Sequence, residues 1–180
     1  MRRSYVDEAI VLARRNFSEA DRILSVFSKG HGRLSLLAKG VRRPSSRKRG
    51  HIEVFNRIKF QAMKGRGLDI MTEAEIIDSF EGVRKDLRKV ALAYYFMEVI
   101  GRTIHEEEKN PELYSLLQNY LEKLKAEKKL LSLRKDFVYQ ALTILGFWPR
   151  GKELENPDAK LEEVTERQLN SARVGKKLVI

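Results

Sequence analysis

The chain changes its hydrophobic period near residue 80. Before that point it alternates with a period of two. In RLSLLAK (33–39), Leu34, Leu36 and Ala38 point one way, and Arg33, Ser35 and Lys39 the other. LDIMTEAEI (68–76) sets Leu68, Ile70, Ala74 and Ile76 against Asp69, Glu73 and Glu75. Such alternation marks strands with one wet face. It predicts five strands, at about 5–13, 20–28, 33–39, 53–64 and 68–77, separated by RNFSE, KGHG, a basic segment and KGRG. Five short strands with tight turns suit a small barrel or sandwich, and the five-stranded OB barrel is one well-populated solution.

After residue 80 the period is helical. A long helix is predicted over 84–105, apolar on much of its circumference through Leu87, Val90, Ala91, Tyr94, Met97 and Ile104. Asn110 followed by Pro111 reads as an N-cap with proline in the first helical position. Leu113, Leu116, Leu117, Tyr120, Leu121 and Leu124 then mark one stripe of a second helix. A third is predicted over about 129–145, stopped by Gly146 and Pro149, and a last one near 160–172. The fold class is therefore α+β: residues 1–80 as a small β-barrel or sandwich, and 81–180 as an all-α helical domain.

Charge narrows the function. The 180 residues carry a formal net charge of +11, which favours a polyanionic partner. The surplus is concentrated in the first half, where residues 1–80 hold 17 Lys/Arg against 9 Asp/Glu. No cysteine is present, which removes thiol catalysis and cysteine-based zinc sites and fits a reducing cytoplasm. The apolar run in MRRSYVDEAIVLARR is too short for a signal peptide or a membrane span, so a soluble cytoplasmic protein without membrane contact is expected.

Catalytic constellations are not found. His31, His51 and His105 are scattered, and His31 reads as a polar turn residue in GHGR. KGRG (64–67) joins two strands and lacks the helix and G-K-[ST] sequence of a phosphate loop, so it reads as a hairpin turn. No nucleophile stands with a base. The expectation is a protein without catalytic residues, metal or cofactor.

AKGVRRPSSRKRG (38–50) carries the clearest functional signal. Lys39, Arg42, Arg43, Arg47, Lys48 and Arg49 stand in a segment with no acid and no aromatic residue, broken by Gly40, Pro44 and Gly50. It is too polar and turn-rich to belong to a core. It leaves a strand bearing Arg33 and Lys39 and enters EVFNRIKFQ, whose outward face would carry Phe55, Arg57 and Lys59. Together these ten residues would form one positive surface gripping phosphates without a sequence code, with Phe55 the candidate for base stacking. A loop without aromatics leaves bases uncovered, which leans toward presenting strands over storing them.

The wording and order of EADRI, GHGRLS, AKGVRRPSSRKRG, GRGL and TEAE closely resemble the N-terminal domain of the RecO family of bacterial DNA repair proteins. The likeness continues more loosely through ALAYYFMEVIGRTI, NPELYSLLQNYLEKL and ILGFWP. It implies that residues 1–80 form an OB-fold nucleic-acid-binding domain, followed by a helical domain over 81–180. It also implies a recombination mediator that binds single- and double-stranded DNA, anneals complementary strands, and works with RecR and the tail of single-strand-binding protein to load RecA. The family's basic surface would map onto Arg33, Lys39, Arg42, Arg43, Arg47, Lys48 and Arg49. Many relatives carry a zinc-binding cysteine cluster beyond GFWP. Here that region reads RGKELENPDAK, so the resemblance implies a zinc-free, shortened C-terminal part. Two other classes remain open on the residues themselves: an OB-fold RNA-binding or translation-associated protein, and an adaptor for an acidic protein partner.

Overall fold

The computed structural model describes residues 4–46 and 48–165. The first strand, β1 (Ser4–Phe17), serves two neighbours. Its first half pairs antiparallel with β4 (Arg57–Met63) and its second half with β2 (Asp21–Ser28). The pairing with β2 shifts register between Val11 and Ala13, so Leu12 is an extra residue. A bulge of this kind bends and twists a strand, which lets one strand close a barrel. β3 (Gly32–Ala38) continues from β2, and β5 (Asp69–Asp78) lies between β3 and β4. The strands close in the order β1-β2-β3-β5-β4, the expected five-stranded barrel.

β3 follows the sequence pattern: Leu34, Leu36 and Ala38 are buried in the barrel with Leu24, Val26, Ile58 and Phe60, while Arg33 and Ser35 face out. β5 departs from it. Its pairing with β4 passes from Gln61↔Glu73 to Ala62↔Met71, leaving Thr72 extra, and its hydroxyl donates to the Gln61 carbonyl at 3.1 Å. Met71 and Ala74 therefore both reach the core, whereas Leu68 and Ile76, expected inside, are exposed. β4 begins at Arg57 instead of 53, because the chain turns at Phe55, whose φ is +59°.

β3 pairs with β5 only at Leu36↔Asp69 and Leu37↔Ile70. Beyond that short parallel seam the Glu107 amide donates to the Arg33 carbonyl at 2.7 Å. The chain divides into two compact units, Met1–Ser79 with Ile104–Pro111, and Phe80–Thr103 with Glu112–Ile180. The return of 104–111 to the barrel unit is what a contiguous division at residue 80 omits. Gly32, at φ +74°, permits it: a Cβ there would collide with the Glu108 carbonyl.

His31 does more than occupy a turn. Its Nδ1 lies 2.7 Å from Asp7 Oδ2, which also accepts from the Ser28 hydroxyl and the Gly30 amide. Burial pushes the Asp7 carboxyl up. The hydrogen bonds from Ser28, His31 and the Glu8 and Gly30 amides outweigh it and hold the pKa below the ordinary value. A depressed carboxylate stabilises the fold above its unfolded pKa of about 4, and that stability is lost as pH falls through the folded value. Asp7→Asn is accordingly expected to cost about 1–3 kcal/mol at neutral pH. The gap to wild type should close below about pH 4; urea unfolding at several pH values measures both.

The helical unit contains α1 (Glu81–Arg84), α2 (Leu87–Thr103), α3 (Pro111–Ala126), α4 (Leu130–Ile144) and α5 (Pro157–Thr165). The predicted 84–105 helix is broken at Asp86, whose carboxylate accepts the Arg88 amide at 2.9 Å and caps α2. The α3 stripe is core: Leu113, Leu117, Tyr120, Leu121 and Leu124 are buried. Tyr120 packs on Phe137, which stacks on Phe96 with ring centroids 4.1 Å apart. Gly146, at φ +79°, ends α4, and the Phe147 amide returns to the Leu142 carbonyl at 2.9 Å. The predicted continuation of the last helix to 172 lies outside the described residues.

Candidate nucleic-acid interface

The basic segment crosses one end of the barrel from β3 to β4, which are not adjacent strands. It is tied down along its length. Val41 is wholly buried and belongs to the barrel core, against the expectation that this stretch contributes nothing to it, and so does Ile52 just beyond it. On one side the Gly40 amide donates to the Asp21 carboxylate at 2.7 Å, and the Arg42 amide to the Ala20 carbonyl at 2.9 Å. On the other, His51 Nδ1 meets the Ala74 carbonyl at 2.7 Å, and the Lys48 ammonium donates to the Met71 and Thr72 carbonyls at 3.4 and 3.2 Å. Asn56, almost fully buried, closes the loop by donating to the His51 carbonyl at 2.9 Å. The charges thus sit on a loop stretched between the β1–β2 hairpin and the β5 bulge.

This arrangement redistributes the ten residues named above. Lys39, Arg42, Arg43 and Arg49 are exposed on or beside the loop. Arg47 lies outside the described residues. Lys48 is engaged with the β5 carbonyls, so its charge serves the fold as well. Arg33 stands at the opposite end of β3 from Lys39, six residues or about 20 Å along the strand, beside the 104–111 segment. Phe55 is corrected outright: it is 0% exposed and cannot stack on a ligand base. Arg57 and Lys59 do not extend the basic surface either. Arg57 pairs with Glu8 at 2.9 Å, and Lys59 lies across from Glu8 on β1 and Glu75 on β5. The expected continuity fails because β5, with its acidic outward positions, separates β3 from β4.

Two arginines not assigned from the sequence complete the cluster. Arg14 on β1 and Arg22 on β2 project at the same barrel end. Arg22 is near enough to three other guanidiniums to feel them: burial first, then Arg14, with Arg49 and Arg42 behind it, lowers its pKa, and Glu53 opposes them. Its Nε donates to Asn16 Oδ1 at 3.2 Å, while its Nη1 is buried without a hydrogen-bond partner. The signal in the sequence is the presence of ARR (13–15) and DR (21–22) on the two strands of one hairpin.

Glu53 is the acid within this cluster and forms an ion pair with Arg14. Both side chains are about a third exposed, so the pair adds little stability. It does neutralise one cation. On a nucleic-acid-binding reading of this surface, Glu53→Gln is expected to tighten single-strand binding severalfold and to steepen its log–log salt slope by roughly 0.7, since one more counterion is displaced. A salt titration of the variant beside wild type reads both.

The comparisons agree with the barrel and with the helices after it. Residues 1–80 match the family model described as Recombination protein O N terminal, and residues 84–153 match Recombination protein O C terminal. The chain belongs to the RecO family. It is 35% identical over 145 residues to the DNA repair protein RecO of Pelotomaculum thermopropionicum, covering 81% of this chain and 56% of that protein. It is 34% identical over 165 residues to that of a Roseiflexus species, covering 92% and 58%. For Geobacter metallireducens RecO the identity is 36% over 140 residues, covering 78% and 57%. The chain thus spans a little over half the length of these RecO relatives. Among the described residues no helix is long and apolar enough to cross a membrane.

Proposed function

We propose that the chain is a DNA-binding recombination mediator that acts in the cytoplasm without catalysing a reaction. It grips the backbones of single- and double-stranded DNA at the barrel end and brings complementary strands together. The observation that carries this reading is the gathering of Arg14, Arg42 and Arg49 around the Arg22 guanidinium at one barrel end, with Arg42 and Arg49 exposed. Cations gathered against their mutual repulsion are stabilised by a polyanion. Family membership makes DNA the first polyanion to test.

In this reading RecR and the tail of single-strand-binding protein deliver the complex to coated strands for RecA loading. The α3 stripe is packed in the core, so the tail needs another seat. A shallow cavity of about 410 Å³ lined by Arg88, Lys128, Lys129, Leu130, Leu131 and Ser132 supports one. Leu131 is exposed there, which with the three cations suits an acidic, apolar peptide. An OB-fold RNA-binding protein is the second reading, since phosphate contacts do not distinguish the two polymers.

Filter binding with matched DNA and RNA oligonucleotides, followed by annealing with bare and with coated complementary strands, tests the proposal. DNA binding with faster annealing of both kinds of strand is expected. Reversing Arg88 and Lys129 to Glu should spare bare strands and slow only coated ones. Tighter binding to RNA, without annealing of DNA, would favour the second reading.

A further inference from the structure

Phe17 ends β1 with 48% of its surface exposed. The other strongly exposed large apolar side chains described in the barrel unit, Val6, Leu68, Ile76 and Ile77, are all aliphatic. An aromatic ring has most to gain from burial, so an open one at a binding surface marks a contact.

Its position is held. Phe17 pairs with Asp21 across the hairpin, and Ser18 after it adopts φ +54°. The tip of that hairpin is fastened to the basic loop at three places. The Arg42 guanidinium donates to the Ser18 carbonyl at 3.2 Å, the Arg42 amide to the Ala20 carbonyl at 2.9 Å, and the Gly40 amide to the Asp21 carboxylate at 2.7 Å. Arg15, also exposed, lies two residues back on the same face of the strand, about 7 Å away. The ring therefore has a cation along its own strand and another bonded to the residue that follows it.

A flat apolar face flanked by cations matches a nucleotide whose base is free and whose phosphates are charged. We propose that Phe17 stacks on an unpaired base of the bound strand, so that the β1–β2 hairpin tip distinguishes single strands from duplex. This rests on the DNA-binding reading of the basic cluster. In duplex both faces of each base are covered by neighbouring bases, and the ring gains nothing. In a single strand one face is available. Stacking uses the face and leaves the pairing edge open, so the contact is compatible with annealing.

The test measures affinity of the full chain for an oligothymidylate and for a blunt duplex of equal length, each across a salt series. Phe17→Ala should weaken the single strand by about 5- to 150-fold. It should leave duplex affinity within about twofold and both salt slopes unchanged, because no phosphate contact is lost. Phe17→Leu should behave like the alanine variant, since it keeps apolar bulk without a ring. Phe17→Trp, made with Trp148→Phe, should restore binding and show fluorescence quenching on the single strand alone. Equal losses on both DNAs, a reduced salt slope, or a leucine variant with full affinity would overturn the proposal. Unaltered single-strand binding by Phe17→Ala sinks the stacking contact and leaves the DNA-binding reading standing. Failure of the wild-type chain to bind either DNA removes both.

Discussion

Changing Arg14, Arg22, Arg42, Arg43 and Arg49 together to Gln is expected to abolish most DNA binding while leaving the fold intact. With Arg14 neutralised by Glu53, the four remaining phosphate contacts on a single strand correspond to a log–log salt slope of about −2.8. Wild-type affinity should then fall roughly fiftyfold between about 50 and 200 mM salt, and the variant's affinity should hardly move. Near 0.1 M salt the two should differ by two to three orders of magnitude from counterion release alone. Annealing should fail with binding, because two backbones repel unless both are neutralised. Glutamine is shorter than arginine but keeps a hydrogen-bond donor at about the position of the Arg22 Nε, which donates to Asn16. Lys48 is left unchanged because its ammonium serves the Met71 and Thr72 carbonyls. The Arg14–Glu53 pair is about a third exposed, and its loss is offset by relief of repulsion in the cluster. A folded variant with wild-type affinity and slope would show that the charge is only a solvated surface.

How this surface could be anticipated differs from strand to strand. β3 was legible because its register is unbroken and one face is wet, so Leu34, Leu36 and Ala38 announce the core directly. β5 was legible only in outline. An extra residue at Thr72 reverses the inward parity, and nothing in LDIMTEAEI marks where a bulge falls. Phe55 misled for a related reason: an aromatic between two polar residues reads as a strand position, yet it occupies a left-handed turn with its side chain buried. β3 and β4 are consecutive in sequence, which suggests one positive surface across both. Barrel closure puts β5 between them. Arg14 and Arg22 escaped notice because each looks like an ordinary outward strand residue until the hairpin places them under the loop. The helical half was read more fully, since Asn110–Pro111 and Gly146 are local signals that require no knowledge of tertiary partners.

The largest single-site loss of stability is expected at Asp158, in the first turn of α5. Its carboxylate pairs with Arg134 of α4 and accepts the Tyr95 hydroxyl of α2 at 2.7 Å. Arg134 is 8% exposed, and its guanidinium lies 5.0 Å from the Tyr95 ring centroid. These contacts fasten α5 to the helices before it. Among the described residues no group of three or more His, Asp or Glu is placed to hold a metal ion for the same purpose. Asp158→Ala leaves a buried guanidinium without its counter-ion, a situation that costs about 3–5 kcal/mol for a fully buried pair. Asp158 is itself 29% exposed, and water screening puts the expected loss near the lower end, about 3 kcal/mol. In a chain of this size that lowers the melting temperature by roughly 6–12 °C. Truncating both partners apolarly, as Arg134→Met with Asp158→Ala, should recover most of it, because the cost comes from the stranded charge and not from the lost attraction. A calorimetric shift under about 2 °C for Asp158→Ala would mean that water already satisfies Arg134, and that the ion pair does not hold the last helix in place.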